Sequence, residues 1–321
     1  MNSEFDIIKK YFTFSDSRED VLIAGGDDCA SVSVPENKQL LVTTDTLISG
    51  VHFPDETTPE DIAYKAIMVN LSDLAAMGAT PAWMTLAISL PEVDEDWLCR
   101  FSNTLSEVLR RFDVSLIGGD TTKGALSITV QAMGLCDKDK LLRRDQAKPG
   151  DKIYITGDIG DAAIGLLALS SALEDEMLQP CITRLNRPEA RVRFAEELAS
   201  YSSCAIDVSD GLVADLGHII SASFCGAQVF LSRIPLSSAS RYYFEKYNNG
   251  IIDWSLLLTR GDDYELCFTL REDNESVVND LARKHELKIS CIGEIIETKE
   301  LNFINPDGEL ESFADTGFKH F

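Results

Sequence analysis

The stretch Asn70-Leu71-Ser72-Asp73 constrains this chain more than any other, because it sets polar side chains into a helix that is otherwise apolar. Thr58 suits the N-cap, Pro59 the first helical position and Asp61 the first turn, so the pattern predicts a helix over Pro59 to Met77. Ala63, Ala66, Ile67, Leu74 and Met77 share one apolar face, with Asn70 on that face and Asp73 at its edge. A carboxylate there is costly to bury unless something pairs with it. A metal ion is one such partner, since hard cations take carboxylate oxygens. A capping or turn role close to Gly78 is the other reading, and Asp73 alone does not choose between them.

Other acidic groups widen the choice. Asp27-Asp28, Asp45, Asp120, and Asp207 with Asp210 are expected at the ends of elements, and Asp262-Asp263 just before a strand. Binding groups concentrate at such places. Many carboxylates without His or Cys suit magnesium, calcium or manganese, and magnesium held with phosphate oxygens means phosphoryl chemistry. The competing reading is that these residues cap helices and make turns. Gly118-Gly119-Asp120 reads equally as a plain turn, and Asp207 to Gly211 as an ordinary helix start. His52 is a surface residue or a contact to a phosphate or ring, and Arg143-Arg144 a solvated pair or a phosphate contact.

The formal net charge of −24 excludes a nucleic-acid binder or an anionic-membrane binder. A polyanionic substrate would need local cations. The eight Cys include no C-x-x-C pair, so they signal neither zinc nor redox chemistry and fit the reduced core of a cytoplasmic protein. Met1 to Asp6 lacks a basic and then apolar leader, and no apolar run reaches membrane-spanning length.

The 321 residues suggest two domains, here taken as 1–147 and 148–321 with Lys148-Pro149-Gly150-Asp151 at the boundary. The first half reads β-β-α-β-α-β-β, an α/β or α+β pattern. In it, Ala30–Val34 and Gln39–Thr44 are expected to form a hairpin whose second strand ends at Thr43-Thr44-Asp45-Thr46. Ser115–Ile117 is expected as a strand ending at Gly118-Gly119-Asp120. In the second half, Gly157-Asp158-Ile159-Gly160-Asp161 opens a helix but matches no nucleotide motif, and its glycines are expected to serve the turn.

Taken together, the motifs resemble the thiamine-monophosphate kinase family of the aminoimidazole-ribonucleotide synthetase superfamily. The likeness is carried by Gly26-Asp27-Asp28-Cys29-Ala30, Thr43-Thr44-Asp45-Thr46-Leu47, Gly50-Val51-His52-Phe53 and Asn70 through Ala79. It continues through Gly118-Gly119-Asp120-Thr121-Thr122, Ala147 through Asp151, Ile206 through Leu212 and Gly261 through Leu266, and so spans the chain.

The resemblance implies a two-domain fold whose N-terminal domain forms a β-barrel across a homodimer. It also implies magnesium-assisted in-line transfer from ATP to thiamine monophosphate, giving thiamine diphosphate and ADP, with several Mg2+ and no phosphoenzyme. By position it places metal at Asp28, Thr43, Thr44, Asp45, Asp73, Asp120, Asp207 and Asp210, with Asp27 a neighbouring candidate. It places ATP at Gly119, Asp120, Arg144 and Ser209, and the thiamine substrate at His52, Asp262 and Phe318. Asp73, Asp120 and Asp210 would act through metal, and no residue stands out as a general base. Two departures bear on the acceptor site. Arg260 and Asp262 stand where the family commonly has Gly and Glu, and Phe318 where relatives often carry Trp or Tyr. An ATP-dependent synthetase of the same superfamily, acting on another phosphorylated metabolite, and a non-catalytic nucleotide- or metal-binding protein are the alternatives.

Overall fold

The structure is a computed structural model that describes residues 4–14, 18–313 and 317. It separates into two units, Met1–Leu74 with Ala79–Asp139, and Ala75–Gly78 with Lys140–Phe321.

The first unit runs α1 (Glu4–Tyr11), β1 (Val21–Ile23), β2 (Ser31–Val32), β3 (Lys38–Ile48), α2 (Pro59–Ala76), β4 (Thr80–Leu90), α3 (Glu95–Arg111), β5 (Ser115–Lys123) and β6 (Ser127–Asp137). Its main sheet has the order β3-β6-β4-β5, with β4 and β5 parallel and the other pairs antiparallel. Thr58 caps α2 as its position predicts, with Oγ1 accepting the N–H of Asp61 at 3.2 Å. Every residue of α2 from Ile62 to Ser72 is buried, so this helix is covered on all sides and not on one face. α3 is amphipathic, capped by Asp94 and buried along Leu98, Phe101, Leu105, Val108 and Leu109.

Two local expectations fail. Residues 30–34 and 39–44 do not form a hairpin: β2 pairs with β1, and β3 pairs along its whole length with β6. β2 is only two residues long and is followed by a turn in which Lys38 N–H donates to Pro35 O, so the long partner of β3 has to come from elsewhere in the chain. β3 and β5 also continue past the acidic motifs, which puts Thr43, Thr44, Asp45 and Asp120 inside strands and not at their ends. Gly119 is required by close approach: a Cβ there would lie 1.8 Å from Leu86 O on β4.

The second unit contains β7 (Lys152–Thr156), α4 (Asp161–Ser170), α5 (Gln179–Asn186), α6 (Val192–Leu198), β8 (Ala205–Asp207), α7 (Leu212–Ser223), β9 (Gly226–Phe230) and α8 (Ser238–Tyr247). It continues with α9 (Trp254–Thr259), β10 (Leu266–Leu270), α10 (Glu275–Lys284), β11 (Ile289–Ile296), β12 (Leu301–Ile304) and β13 (Leu310–Glu311). The sheet order is β13-β12-β9-β11-β7-β10-β8, which leaves β8 at an edge. A single apolar cluster including Ile153, Ile155, Ile206, Leu216, Val229, Phe244 and Ile292 fills the core of this unit.

Candidate active site

The faces of the first sheet sort the acidic residues. Along β3, Leu41, Thr43, Asp45 and Leu47 are more buried than Val42, Thr44 and Thr46, as a strand with one covered face requires. Thr43 Oγ1 donates to Asp73 Oδ2 at 2.5 Å, which pins the polar edge of α2 to the covered face of β3. Asp45 lies on that same face two residues on. Asp120 lies on the other face: it pairs with Ala87, which pairs with Thr129, which pairs with Thr46. Three strand spacings separate β3 from β5, roughly 14 Å. The first unit thus sets Thr43 against Asp73 with Asp45 further along the same strand face, and holds Asp120 and Thr44 on the opposite side of the sheet. Asp27 and Asp28 sit in an exposed turn where Asp27 Oδ1 accepts the N–H of Asp28.

His52 follows β3 in a tight turn. Its Nδ1 accepts the N–H of Ile48 at 3.0 Å, which fixes the tautomer carrying a proton on Nε2. Its carbonyl accepts from the buried Lys65 of α2 at 3.3 Å.

In the second unit two loops form one piece. Asp207 ends β8 and is buried; Ser209 and Asp210 follow, half-buried, before Gly211 and α7. Asp215, one turn into α7, folds back so that Oδ2 accepts the N–H groups of Ser209, Asp210 and Gly211 at 3.0, 3.1 and 3.1 Å. Burial pushes the Asp215 carboxyl up to about 7, with the nearby Asp210 charge adding to it and the three N–H groups opposing it. The start of α7 therefore already holds a carboxylate. The same is true of α4, where the fully buried Asp263 accepts the N–H of Gly160. Neither strand-to-helix turn is an open phosphate cradle, and the glycines of Gly157-Asp158-Ile159-Gly160 serve packing: a Cβ on Gly157 would meet Glu265 Oε1 at 2.0 Å.

The second loop, Gly261 to Glu265, carries left-handed backbone at Asp262 (φ 65°) and Tyr264 (φ 51°). Such strain persists only where its surroundings over-determine it. Here Asp262 N–H donates to Ser209 O, Tyr264 N–H to Val208 O, and Val208 N–H to Glu265 O. Tyr264 Oη also donates to Asp262 Oδ1 at 3.1 Å. Glu265 is 1% exposed and receives Thr156 Oγ1, the Arg191 fork and Arg184, while Arg184 also reaches Asp263 O.

The sequence reading missed Glu265, Arg184, Arg191 and Asp215. The available signals were a Glu at the head of an otherwise apolar strand and an Asp four residues after Gly211. Arg144 is exposed, and its carbonyl accepts from Ser223 Oγ at 2.9 Å. Phe318 lies outside the described residues.

Among the described residues no three of His, Cys, Asp and Glu come together to hold a metal. The donors that do meet, Thr43 with Asp73, are both oxygens. That fits magnesium, which takes one or two carboxylates and fills its shell with water and phosphate oxygens. Among the described residues no helix is long and apolar enough to cross a membrane.

Residues 26–136 match the AIR synthase related protein N-terminal domain, and residues 148–304 the AIR synthase related protein C-terminal domain. A thiamine-monophosphate kinase from Salmonella typhimurium is 44% identical over 99% of this chain and 98% of its own length. This chain belongs to the AIR synthase related family, in its thiamine-monophosphate kinase branch. The solved thiamine-monophosphate kinase of Stenotrophomonas maltophilia K279a superposes with a TM-score of 0.85 at 42% identity, covering 92% of this chain and 93% of that one. The family's AaThiL, solved in complex with AMPPCP and TMP, gives a TM-score of 0.80 at 30% identity over 90% of this chain and 89% of its own.

Proposed function

We propose that this chain transfers the γ-phosphoryl group of ATP to thiamine monophosphate, giving thiamine diphosphate and ADP in the cytoplasm. The observation that carries this reading is the full-length likeness to thiamine-monophosphate kinases, one of them solved with an ATP analogue and TMP. An oxygen of the acceptor phosphate bonds to the γ-phosphorus, and the bond to the bridging oxygen of ADP breaks. The acceptor phosphate is largely ionised at neutral pH, its second pKa being about 6, so the step needs positioning more than a general base.

Asp28, Thr43, Thr44, Asp45, Asp73, Asp120, Asp207 and Asp210, with Asp27 beside them, are the residues that would hold Mg2+. Bound Mg2+ supplies charge neutralisation of the triphosphate. Local cations would offset the net charge of −24 in a chain whose α4 and α7 turns are already closed by side-chain carboxyl groups. Gly119, Asp120, Arg144 and Ser209 would meet ATP. His52 and Asp262 would meet the acceptor. Phe318 is the aromatic group for the thiamine ring.

The N-terminal unit would pair with a second copy. Its open sheet face exposes Leu40 at 43% and Val42 at 54%, which supports a covered face in solution.

ADP release should be measured with thiamine monophosphate, thiamine and phosphorylated aminoimidazole precursors side by side. Turnover with thiamine monophosphate alone is the expected result. Turnover only with an aminoimidazole precursor would overturn the substrate and leave the fold.

A further inference from the structure

Asn70 Oδ1 is the one buried side-chain nitrogen or oxygen, among the described residues, that has no hydrogen-bond partner. Asn70 is 1% exposed. Its Nδ2 donates to Ala66 O at 3.0 Å, so the amide is oriented and Oδ1 is the end turned away from the helix backbone. An orphaned buried carbonyl of this kind costs free energy that a protein seldom leaves uncompensated.

Its place along α2 is set by two contacts. Asp73 meets Thr43 of β3, and Lys65 Nζ meets His52 O beyond the end of β3, so helix and strand run antiparallel. Three residues back from Asp73 to Asn70 is roughly 4.5 Å along the helix. Two residues on from Thr43 to Asp45 is roughly 6.8 Å along the strand, in the same direction. Asn70 therefore stands within roughly 2–3 Å of the level of Asp45 along the helix axis, and three residues before Asp73 it is that carboxylate's neighbour on the helix surface. An ionised carboxylate cannot donate to a carbonyl oxygen. A cation, or a water held in its shell, would satisfy Asn70 Oδ1 beside Asp73.

We infer that Asn70 Oδ1 is a further oxygen donor to a divalent cation held by Asp45 and Asp73, either directly or through one water of its shell. The inference rests on the metal role proposed above for those two aspartates. Asn70 then carries its unsatisfied oxygen as the cost of a prepared cation site.

The test is Mn2+ binding, followed by electron paramagnetic resonance on the whole chain without nucleotide, together with thermal melting with and without Mg2+. Asn70→Leu is expected to melt no lower than the wild type without metal, to bind Mn2+ about 10-fold or more weakly, and to lose most of its Mg2+-dependent stabilisation. Asn70→Asp keeps the oxygen and is expected to bind Mn2+ at least as tightly as wild type; it carries the test if the Leu variant does not fold. Weaker binding by Asn70→Asp overturns the inference. Wild-type Mn2+ affinity in Asn70→Leu, while Asp45→Asn and Asp73→Asn bind weakly, also overturns it and leaves the aspartate site standing, with an ordinary buried water on Asn70. Unchanged affinity in all of these variants overturns the inference and the metal site together.

Discussion

The backbone N–H of Asp262 donates to the carbonyl of Ser209 at 2.9 Å. A residue proposed for the acceptor and a residue proposed for ATP are thus hydrogen-bonded to each other through their backbones. Their separation is set by backbone geometry, which is what in-line transfer needs when positioning dominates the chemistry.

Gly261 keeps that link short. A Cβ there would fall 2.0 Å from Ser209 O, and its φ of 74° already disfavours a side chain. Gly261→Ala is expected to cost about 2 kcal/mol or more and to raise KM for both substrates together. Urea unfolding and steady-state kinetics check this; a rise in KM for one substrate alone would contradict the coupling.

Glu265 pairs with both Arg191 and Arg184, and both Arg side chains are mostly covered. Glu265→Gln would remove the ionised partner from both ion pairs. A loss of about 3–5 kcal/mol is expected, with the left-handed Asp262 loop released first. Arg191→Lys should rescue little, because the fork to both carboxylate oxygens is lost. Denaturant titration of the three proteins measures it.

Asp73→Asn and Asp210→Asn are each expected to lower kcat by about 100-fold or more at a melting temperature within a few degrees of wild type. Raised Mg2+ should recover part of the activity. Near-normal turnover with ordinary Mg2+ dependence in either variant would remove that residue from the metal assignment.

Asp20 gives the first unit an acid-sensitive contact. Its carboxylate takes the Arg18 fork at 2.9 and 2.6 Å and Trp83 Nε1 at 3.1 Å, and the Arg18 bonds hold its pKa below the usual 3.8. A lowered folded pKa adds stability that is fully present above the unfolded value and fades as pH falls through the folded one. Asp20→Asn should therefore lower the melting temperature at pH 7, and the gap to wild type should narrow as pH drops below about 4. A gap that stays constant with pH would contradict the charge assignment.

Local signals read well from the sequence where the cause was local. Thr58, Pro59 and Asp61 announced the start of α2. Pairing partners were not legible. β3 looked like half of a hairpin because Pro35-Glu36-Asn37-Lys38 reads as a turn, yet its partner β6 begins at Ser127. Gly118-Gly119 read as a strand end because glycine usually breaks strands, whereas Gly119 lies mid-strand where Leu86 O comes close. At the candidate site the motif positions were readable, but the sheet face of each was not. A strand that runs through Thr43 to Asp45, instead of ending there, puts Thr44 and Asp120 on the side away from Asp45. The support around Asp262 was least legible, since Arg184, Arg191 and Glu265 meet only through folding across 74 and 81 residues.

The central claim is best tested by phosphorus nuclear magnetic resonance of the wild-type chain with ATP, thiamine monophosphate and Mg2+. The expected result is paired loss of the ATP γ signal and the thiamine monophosphate signal, with thiamine diphosphate and ADP appearing in equal amounts. Release of orthophosphate with thiamine monophosphate untouched, or no change in either substrate, would contradict the account.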